Sequence, residues 1–463
     1  MSDDVLQLAD KLWRGELSVT SLHPVGFQGA LAEVREGVAF VPSFANVSAF
    51  STGDGLVFVD TGSSFMATSI HGEIRKWSDD RLDTAIYSHG HIDHVFGVPV
   101  FESEAAERGW RPPVVVAHEA LPPRFDRYIR TAGYNAVINR RQFQVPNLQW
   151  PVDYRYPDRT YSDRLDLQVG SLSFELHHAK GETDDHTWTW VEEHKTLCCG
   201  DLFIWASPNA GNPQKVQRFP GEWAAALREM VKLGPEILLP GHGFPVIGAD
   251  RVQQALTDTA ELLESLLEQT LALMNQGARL DEILHQVAAP EHLLERPYLR
   301  PVYDEPEFVV RNIWRLYGGW YDGDPSSLKP PLQRALATEL ALLAGGAGVL
   351  ADRARALAEN ARAGNEVGAG TLGTPTTRPF APELRLAGHL AEMAMLANPS
   401  DPGIRKIHSE VFALMASTAS STMAKGIYSW AATGSDYQES TPVSGLPSGN
   451  PSGPPSGNPS GPE

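Results

Sequence analysis

The sequence predicts an α/β domain over residues 1–250, followed by an almost entirely α-helical region over residues 251–432. Between Val38 and Pro245, short apolar runs alternate with turn signals and short helical segments, a pattern typical of α/β folds. From Arg251 to Gln276, apolar residues recur every three or four positions without glycine or proline, which indicates a long amphipathic helix. Residues 433–463 form a tail rich in proline, serine and glycine, with a Pro-Ser-Gly repeat from Ser444 to Glu463, and we expect disorder there because almost no apolar side chain is available for burial.

The individual elements follow from these two periodicities. The run from Gly55 to Gly62 predicts a buried strand that ends in a tight turn. Further strands are predicted at 84–87, 113–117, 172–177, 187–191, 196–199 and 236–239, with helices at 64–76 and 221–233. In the second region, helices are predicted at 280–287, 307–317, 332–343, 382–397 and 403–431, and a mobile glycine-rich loop at 363–374.

Composition restricts the class of protein. A chain of 463 residues with 42% hydrophobic and 21% charged residues is expected to form two or three soluble globular domains. The net charge of −19 argues against nucleic acid and against an anionic membrane surface as partners, because no basic excess neutralises phosphates. An anionic small molecule remains compatible with this charge, since a bound metal ion dominates the local field.

The cysteines and the N-terminus bear on location. The two cysteines, Cys198 and Cys199, are adjacent within an apolar run, which favours a buried strand and excludes a disulfide framework. The first residues lack a basic segment followed by an apolar one, and no apolar run reaches the ~20 residues needed to span a bilayer. The expected location is the cytoplasm, with no integral membrane segment.

The segment from Ser88 to His94 carries the strongest chemical signal, because it follows a strand-like run with three imidazoles and one carboxylate. His89 and His91 are two positions apart, so an extended backbone projects both from the same side. Asp93 and His94 follow where a loop can turn them toward a neighbouring point. Imidazole and carboxylate are usual zinc ligands, and the spacing suits two adjacent ions.

Three more candidate ligands stand beside predicted strands, where loops commonly carry function. His186 directly precedes the strand at 187–191, Asp201 follows the strand at 196–199, and His242 follows the strand at 236–239. Each alone is weak evidence, because a lone histidine there is more often a surface hydrogen-bonding residue. Together with the cluster at 88–94 they predict a hydrolytic metal site.

These motifs resemble the metallo-β-lactamase superfamily over about residues 38–248. The matching segments are Val59-Asp60-Thr61-Gly62, His89 to His94, Gly181 to His186, Gly200-Asp201 and Pro240 to Gly243. The resemblance implies an αββα sandwich with two metal ions, zinc or another divalent metal, at one edge of the paired sheets. It further implies that His89, His91 and His186 bind the first metal, that Asp93, His94 and His242 bind the second, and that Asp201 bridges them.

Two cations about 3.5–4 Å apart can share a hydroxide, lower the pKa of its parent water and stabilise the leaving oxygen. In that scheme the predicted catalytic carboxylates are Asp93 and Asp201. Asp60 is a candidate for orienting a ligand histidine, and a turn-capping role is about equally consistent with its position.

The helical region is similar to the segment that follows the catalytic domain in alkylsulfatases of this superfamily. The similarity lies in the stretch from Arg311 to Pro325, with later parts at 389–397 and 423–428, and it extends over roughly residues 30–432. It implies a homodimer held by this helical domain, and a reaction that hydrolyses a small-molecule sulfate ester to an alcohol and sulfate.

Three departures from the alkylsulfatase pattern concern the substrate. A glutamate replaces the third histidine in that family, whereas this chain has His186. The family's sulfate-binding arginine falls near Gln214, which leaves Lys215 or Arg218 to bind the anion beside Asn209, although lysine and arginine are not equivalent in this role. After residue 432 only the proline-serine-glycine repeat follows, where the family carries a sterol-carrier-like domain. Two residues resemble the family's stretch beside the substrate channel and complete the predicted substrate-binding set, Asn135 and Arg141.

Two other functions remain open at this point. The complete superfamily ligand set, with His186, is compatible with hydrolysis of a carboxylic ester, a lactone or a thioester. A non-catalytic metal scaffold or a diiron redox module is the third possibility. The redox case is disfavoured because the adjacent cysteines lack Cys-x-x-Cys spacing and no flavin or rubredoxin-like domain is evident.

Overall fold

Two mixed β-sheets lie face to face in the first half of the chain. The computed structural model describes residues 5–26, 28–368 and 380–434, apart from the side chains of 364–368. The first sheet has seven strands in chain order, with the last four parallel to one another. These strands are β1 (Ala32–Arg35), β2 (Val38–Val41), β3 (Val47–Ser51), β4 (Leu56–Val59), β5 (Leu82–Ile86), β6 (Val114–His118) and β7 (Arg159–Tyr161).

The second sheet has six strands in the order β13-β12-β11-β10-β9-β8, and only β11 and β12 within it run parallel. Its strands are β8 (Arg164–Val169), β9 (Leu172–His178), β10 (Thr187–Val191), β11 (Thr196–Gly200), β12 (Ile237–Pro240) and β13 (Val246–Ile247). The predicted strands at 84–87, 113–117, 172–177, 187–191, 196–199 and 236–239 all fall within these elements to within one or two residues.

The alternating side chains of β4 show that both faces of the first sheet are covered. Val57 and Val59 point between the two sheets, whereas Leu56 and Phe58 pack under the outer helices. A strand buried on both faces is apolar at every position, as this one is. The outer helices of this side are α2 (Ala67–Trp77), α3 (Val98–Arg108), α4 (Leu121–Arg130) and α5 (Ala132–Phe143).

Two helices cover the outer face of the second sheet, α6 (Pro220–Lys232) and α7 (Ala249–Asn275), and a short helix, α1 (Val5–Trp13), joins the same core. Trp223 of α6 is fully buried against this sheet. The layers are therefore helix, sheet, sheet, helix, and the expected αββα sandwich is confirmed. Cys198 and Cys199 lie in β11 as buried free thiols, as predicted.

The second half is helical. Its helices are α8 (Leu280–Gln286), α9 (Glu291–Leu294), α10 (Pro306–Gly318), α11 (Gln333–Ala344), α12 (Ala347–Gly368), α13 (Pro382–Ala397), α14 (Pro402–Thr418) and α15 (Thr422–Ala432). Helix α12 was not predicted, and it extends to Gly368 into the stretch expected to be a loop. The predicted helix at 403–431 is two helices, because Ser421 caps a new one by accepting from the backbone of Ala424. The rest of the glycine-rich interval and nearly all of the predicted disordered tail lie outside the described residues.

The helical region packs directly on the α/β half. Helix α10 packs against α7, and α15 packs against α5. Gly426 of α15 permits this second contact, since a Cβ there would lie 2.2 Å from the carbonyl oxygen of Gln142. Among the described helices, none alone is long and apolar enough to cross a membrane. The helices α11 and α12, bent by 87° relative to each other, have the length and composition of a membrane span only when they are taken together.

Candidate metal centre

The candidate ligands meet at one edge of the two sheets, where parallel strands end. The segment 88–94 follows β5, Asp201 directly follows β11, and His242 follows β12. Because the carboxyl ends of parallel neighbours lie at the same edge, residues distant in sequence come together there. The loop between β9 and β10 contributes Glu182 from the second sheet.

A first group of possible ligands contains His89, His91, Glu182 and Asp201, whose ligand atoms all lie within 4.8 Å of one another. His89 Nε2 and His91 Nδ1 are 2.7 Å apart. Glu182 Oε1 lies 3.6 Å from His91 Nδ1, and Asp201 Oδ2 lies 3.8 Å from His89 Nε2. The two imidazoles and two carboxylates therefore converge on one point.

A second group contains Asp93, His94 and His242. His242 Nε2 lies 3.4 Å from Asp93 Oδ2, and His94 Nε2 lies 3.8 Å from the same oxygen. Asp201 is also close, with Oδ2 at 3.3 Å from His242 Nε2 and Oδ1 at 3.5 Å from His94 Nε2. Asp201 thus lies between the two groups, in the position expected of a bridging ligand.

Hydrogen bonds on the far side of each ring fix how the histidines face the centre. His94 Nδ1 donates to Asp60 Oδ2 over 2.7 Å, and His242 Nδ1 donates to the carbonyl of Phe44 over 2.5 Å. His89 Nδ1 lies 3.0 Å from Ser88 Oγ, which itself donates to Asp60. Because these contacts use Nδ1, Nε2 is the candidate ligand atom of His89, His94 and His242. Asp60 thus holds the ring of the candidate ligand His94, which is one of the two roles that its position in the sequence left open.

The electrostatics of the centre favour added positive charge. Burial raises the pKa of Glu182 well above its ordinary value, and the nearby Asp201 carboxylate acts in the same direction. The pKa of His242 is raised to about 10, because the attraction of Asp201 and Asp93 outweighs the opposing effect of burial. The carboxylates of Asp201 and Asp93 thus favour positive charge at this point of the centre.

Unpartnered polar atoms test whether metal ions fit this arrangement. Among the described residues, His94 Nε2, Glu182 Oε2 and Asp201 Oδ1 are buried without a hydrogen-bond partner. Buried polar atoms normally have partners, and these three point into the two groups of converging ligand atoms. Their nitrogen and carboxylate chemistry matches the preferences of a divalent cation, so the residues present fit a dinuclear metal site.

His186 differs from the prediction, because it lies beside the centre rather than among the converging ligand atoms. Its ring stacks on His89 with centroids 4.9 Å apart, and its Nε2 accepts the backbone N–H of Asp201 over 3.1 Å. Glu182, four residues earlier, occupies the place in the first group that the sequence assigned to His186. This removes the departure from the glutamate-containing alkylsulfatase pattern.

A buried ion pair supports the loop that carries the first two histidines. The backbone N–H of Gly90 donates to Asp185 Oδ2 over 2.9 Å, and Asp185 pairs with Arg124 Nε at 2.8 Å. A Cβ at Gly90 would lie 2.7 Å from the Arg124 side chain. The turn between His89 and His91 therefore needs glycine, and α4 fixes it from outside.

The loop at 207–218 brings two predicted substrate-binding residues to the first group. Asn209 Nδ2 donates to Glu182 Oε1 over 2.5 Å, and Arg218 Nη2 donates to the same oxygen over 3.3 Å. Arg218 is 1% exposed, and its Nε and Nη1 have no hydrogen-bond partner among the described residues. A buried guanidinium with unused donors beside a metal centre is suited to bind an oxyanion.

The remaining predicted substrate-binding residues lie farther out. Lys215 Nζ donates to Asn139 Oδ1 over 3.3 Å, and Arg141 donates to Gln214 Oε1 over 3.1 Å. Burial and, to a smaller extent, the nearby charge of Arg218 together lower the pKa of Lys215 to about 8. Asn135 is buried in α5, and its amide donates to Thr131 within that helix over 2.9 Å. Helix α5 therefore lies beside the loop, which it contacts through Asn139 and Arg141, whereas the Asn135 amide, nearer the start of the helix, bonds to Thr131.

Two residues near the centre were not predicted from the sequence. Glu182 lies in the segment Gly181 to His186, and the glutamate of the alkylsulfatase pattern was the signal that could have identified it. Tyr303, from the helical half, accepts from Gln142 Nε2 over 3.4 Å. Burial and the carboxylates of the centre raise the pKa of Tyr303 well above its ordinary value. No local motif marks Tyr303, since only the packing of the two halves brings it here.

Comparison with known families divides the chain as the fold does. Residues 41–242 match the metallo-beta-lactamase superfamily, and residues 279–367 match the alkyl sulfatase dimerisation family. The first range contains all seven candidate ligands, from His89 to His242, and the second contains α10 and α11.

Three characterised proteins are similar in sequence. A linear primary-alkylsulfatase of a Pseudomonas species is 28% identical over 319 residues, which is 63% of this chain and 59% of that protein. An (R)-specific secondary-alkylsulfatase of Pseudomonas is 26% identical over 62% of this chain and 47% of its own length. The alkyl/aryl-sulfatase BDS1 of Saccharomyces cerevisiae is 29% identical over 58% of this chain and 45% of its own. The chain therefore matches about half of each relative's length.

Among solved structures, the stereoselective inverting secondary alkylsulfatase Pisa1 of Pseudomonas superposes with a TM-score of 0.71. The superposition covers 86% of this chain and 64% of Pisa1 at 21% identity. A double mutant of the same enzyme gives 0.73 over 87% of this chain. These superpositions establish that both halves, and not the sandwich alone, share the alkylsulfatase fold.

Proposed function

Because this chain joins a metallo-beta-lactamase superfamily domain to an alkyl sulfatase dimerisation region, we propose that it is a metal-dependent hydrolase of alkyl sulfate esters. The products are an alcohol and sulfate, and water supplies the oxygen and protons that balance the reaction. The characterised relatives named above are all sulfatases, which supports this substrate class.

Arg218 is the single observation that carries the proposal. Its guanidinium is buried beside Glu182 of the first ligand group, and two of its nitrogen atoms have no partner among the described residues. Leaving buried donors of a charged group unsatisfied is costly, so a ligand with several acceptor oxygens is expected there. A sulfate ester offers three such oxygens and a negative charge, whereas a neutral carboxylic ester offers neither.

The residues around the centre divide the work of such a reaction. Arg218, Asn209 and Lys215 hold the sulfate group, and the side chains of α5 form the wall beside it. Asp93 and Asp201 orient the attacking water by accepting hydrogen bonds from it. When bound, divalent cations supply the positive charge that makes this water nucleophilic near neutral pH and that stabilises the leaving oxygen.

Zinc is the metal we propose, two ions per chain. Imidazole nitrogens and carboxylates are the common donor set of catalytic zinc sites, although manganese and iron accept similar donors. His89, His91 and Glu182 would hold one ion, Asp93, His94 and His242 the other. Asp201 would bind both.

A carboxylic ester, lactone or thioester is less well supported as the substrate. The argument for it was a complete superfamily ligand set that includes His186. In the structure, His186 Nε2 instead accepts a backbone hydrogen bond, and Glu182 faces the first group. The unsatisfied donors of Arg218 also favour an anionic group over a neutral one.

A homodimer is proposed on the apolar surface of α11. Only Ala337 and Ala341 of this helix are buried, whereas Leu332 and Leu343 at its two ends are 76% and 77% exposed. Soluble proteins rarely leave contiguous apolar patches of this kind uncovered. Residues 279–367, which match the dimerisation family, include this helix, so a second copy of the chain is its expected partner.

The proposal is tested with purified protein reconstituted with zinc. A medium-chain alkyl sulfate, a lactone and an aryl carboxylate ester are offered in parallel, and sulfate release is measured by ion chromatography. We expect sulfate release that requires metal and that His91→Ala abolishes. Turnover of the carboxylic substrates without sulfate release would overturn the sulfatase proposal, and iron content with peroxide reduction would point to a redox module instead.

A further inference from the structure

We infer that Asn312, a buried side chain of α10, is a positioning residue that fixes the backbone of Arg218 and thereby aims its guanidinium at the substrate's anionic group. The inference rests on the proposed role of Arg218 in binding that group. It assigns a task to the helical half beyond dimerisation, since α10 belongs to that half.

The contact between the two residues uses both backbone groups of Arg218. Asn312 Nδ2 donates to the carbonyl of Arg218 over 3.0 Å, and Asn312 Oδ1 accepts from its N–H over 3.2 Å. An amide side chain paired in this two-way fashion holds the residue much as a neighbouring strand would. Asn312 is 5% exposed, so water does not readily replace it.

Neighbouring donors fix the orientation of the Asn312 amide. Its Oδ1 also accepts from Gln217 Nε2 over 2.9 Å and from Arg315 Nη2 over 3.3 Å. Arg315 in turn donates to Gln217 Oε1 over 2.8 Å. Since Oδ1 faces only donors and Nδ2 faces a carbonyl, a flipped amide would break every contact.

Arg218 needs this support because its loop has little regular structure. No helix or strand is assigned between β11 and α6, so the loop at 207–218 is held by tertiary contacts. At its start, Ser207 N–H donates to Arg300 O over 2.9 Å; in its middle, Gly211 N–H donates to Asp304 Oδ2 over 2.6 Å. Near its end, Gln217 contacts Arg315 and Asn312, and Asn312 holds the backbone of Arg218 itself.

The residue type supports the same interpretation. Asparagine is a poor helix former and is mostly found on protein surfaces, yet Asn312 is buried within α10. Its amide donates and accepts on the face that meets the loop. The stretch from Arg311 to Pro325 thus contains a residue whose contacts serve the metal centre.

The test compares Asn312→Leu with a control in α7, on the outer layer of the sandwich. Gln269 of α7 pairs with one residue in the same two-way manner, donating to Ala288 O over 2.9 Å and accepting from its N–H over 3.2 Å. Gln269→Leu therefore removes a contact of the same two-way type, at a more exposed place away from the loop. Asn312→Asp is a second variant, in case the leucine variant does not fold; it keeps the accepting oxygen and replaces the donated bond by a carboxylate oxygen that opposes the Arg218 carbonyl.

Three measurements are made on the full-length zinc-loaded protein. They are KM and kcat for a medium-chain alkyl sulfate, Kd for a non-hydrolysable alkanesulfonate, and the same Kd in an Arg218→Ala background. We expect Asn312→Leu to raise KM and Kd about tenfold with a smaller change in kcat, because the lost hydrogen bonds hold the residue whose charged side chain binds the substrate. Gln269→Leu should leave both constants unchanged, and Asn312→Leu should add no further loss when Arg218 is already alanine.

Several outcomes would overturn the inference. Equal effects of Asn312→Leu and Gln269→Leu would indicate a purely structural role, and so would fully additive losses with Arg218→Ala. Unchanged alkanesulfonate binding in folded Asn312 variants would refute positioning while leaving the proposed function intact. A parent protein that neither hydrolyses the sulfate ester nor binds the sulfonate would overturn the proposed function and, with it, this inference.

Discussion

The contact between Asp60 and His94 gives the sharpest prediction about the metal centre. Asp60 accepts three hydrogen bonds of 2.7 Å, from Ser88 N–H at Oδ1 and from Ser88 Oγ and His94 Nδ1 at Oδ2. Asp60→Asn keeps the shape of the side chain. It also suits the backbone, because Asp60 has a φ of 62° and asparagine tolerates that left-handed region.

The substituted amide cannot satisfy all three donors. If its NH2 group faces Ser88 N–H, two donors oppose each other in a buried place, at a cost of about 1–3 kcal/mol in the free energy of unfolding. If the NH2 group faces His94 instead, Nδ1 must accept, so the ring proton moves to Nε2 and blocks the ligand atom. Loss of such an orienting contact typically lowers metal affinity about 10–100-fold. One of these two losses is expected in either orientation.

Both losses are measurable on the same samples. Metal affinity is obtained by competition with a chromogenic zinc chelator, and stability by denaturant unfolding of metal-free protein. Asp258→Asn is the control, because Asp258 is also buried and accepts from Tyr298 over 2.6 Å but lies in α7. We expect that control to lose stability without losing zinc. Asp60→Asn protein that binds both ions and unfolds as the parent does would refute the reasoning.

Three further predictions follow from the site and the surface. Glu182→Gln should lose the ion of the first group, whereas His186→Gln should retain both ions, as measured by metal analysis after dialysis. Because Lys215 is charged below its pKa of about 8 and neutral above it, affinity for an alkanesulfonate should fall as pH rises through about 8, and Lys215→Met should remove that dependence. Leu343→Asp should shift the protein from dimer to monomer in sedimentation experiments, because it places a charge on the exposed end of α11.

Each of these has an outcome that contradicts it. Retention of two ions in the Glu182 variant and loss of one in the His186 variant would restore the original ligand assignment. A pH dependence that persists in the Lys215 variant must come from another group. A parent protein that is already monomeric at micromolar concentration would remove the basis of the Leu343 prediction.

The sandwich and most of the centre could be predicted because their signals are local. The run 88–94 places His89, His91, Asp93 and His94 within a few residues of a strand end, and a strand end has a fixed place in a sheet. The first ligand group shows the limit of that logic. Glu182 and His186 share one loop, and only the pairing of β9 with β10 decides which side chain faces the metal. The backbone of His186 is held in that pairing, with its carbonyl accepting from Ala179 N–H over 3.0 Å.

Residues that reach the centre from the helical half were beyond local prediction. Tyr303 and Asn312 lie more than sixty positions after His242, and neither belongs to a pattern that indicates contact with the loop at 207–218. Helix α12 was missed for another reason. Glycines 345 and 346 form the turn after α11, and the chain then continues as a helix from Ala347 to Gly368, into the glycine-rich stretch that predicted a loop.

The two thiols of β11 give the molecule a built-in reporter. Burial raises the pKa of Cys198 to about 12 and that of Cys199 well above its ordinary value, and both are free in the folded protein. Almost no thiolate is therefore present to attack a thiol reagent until the strand leaves the sheet. Since Asp201 follows this strand directly, the labelling rate at these cysteines measures how often the strand that carries the bridging carboxylate opens to solvent. Added metal should slow that labelling without touching either sulfur.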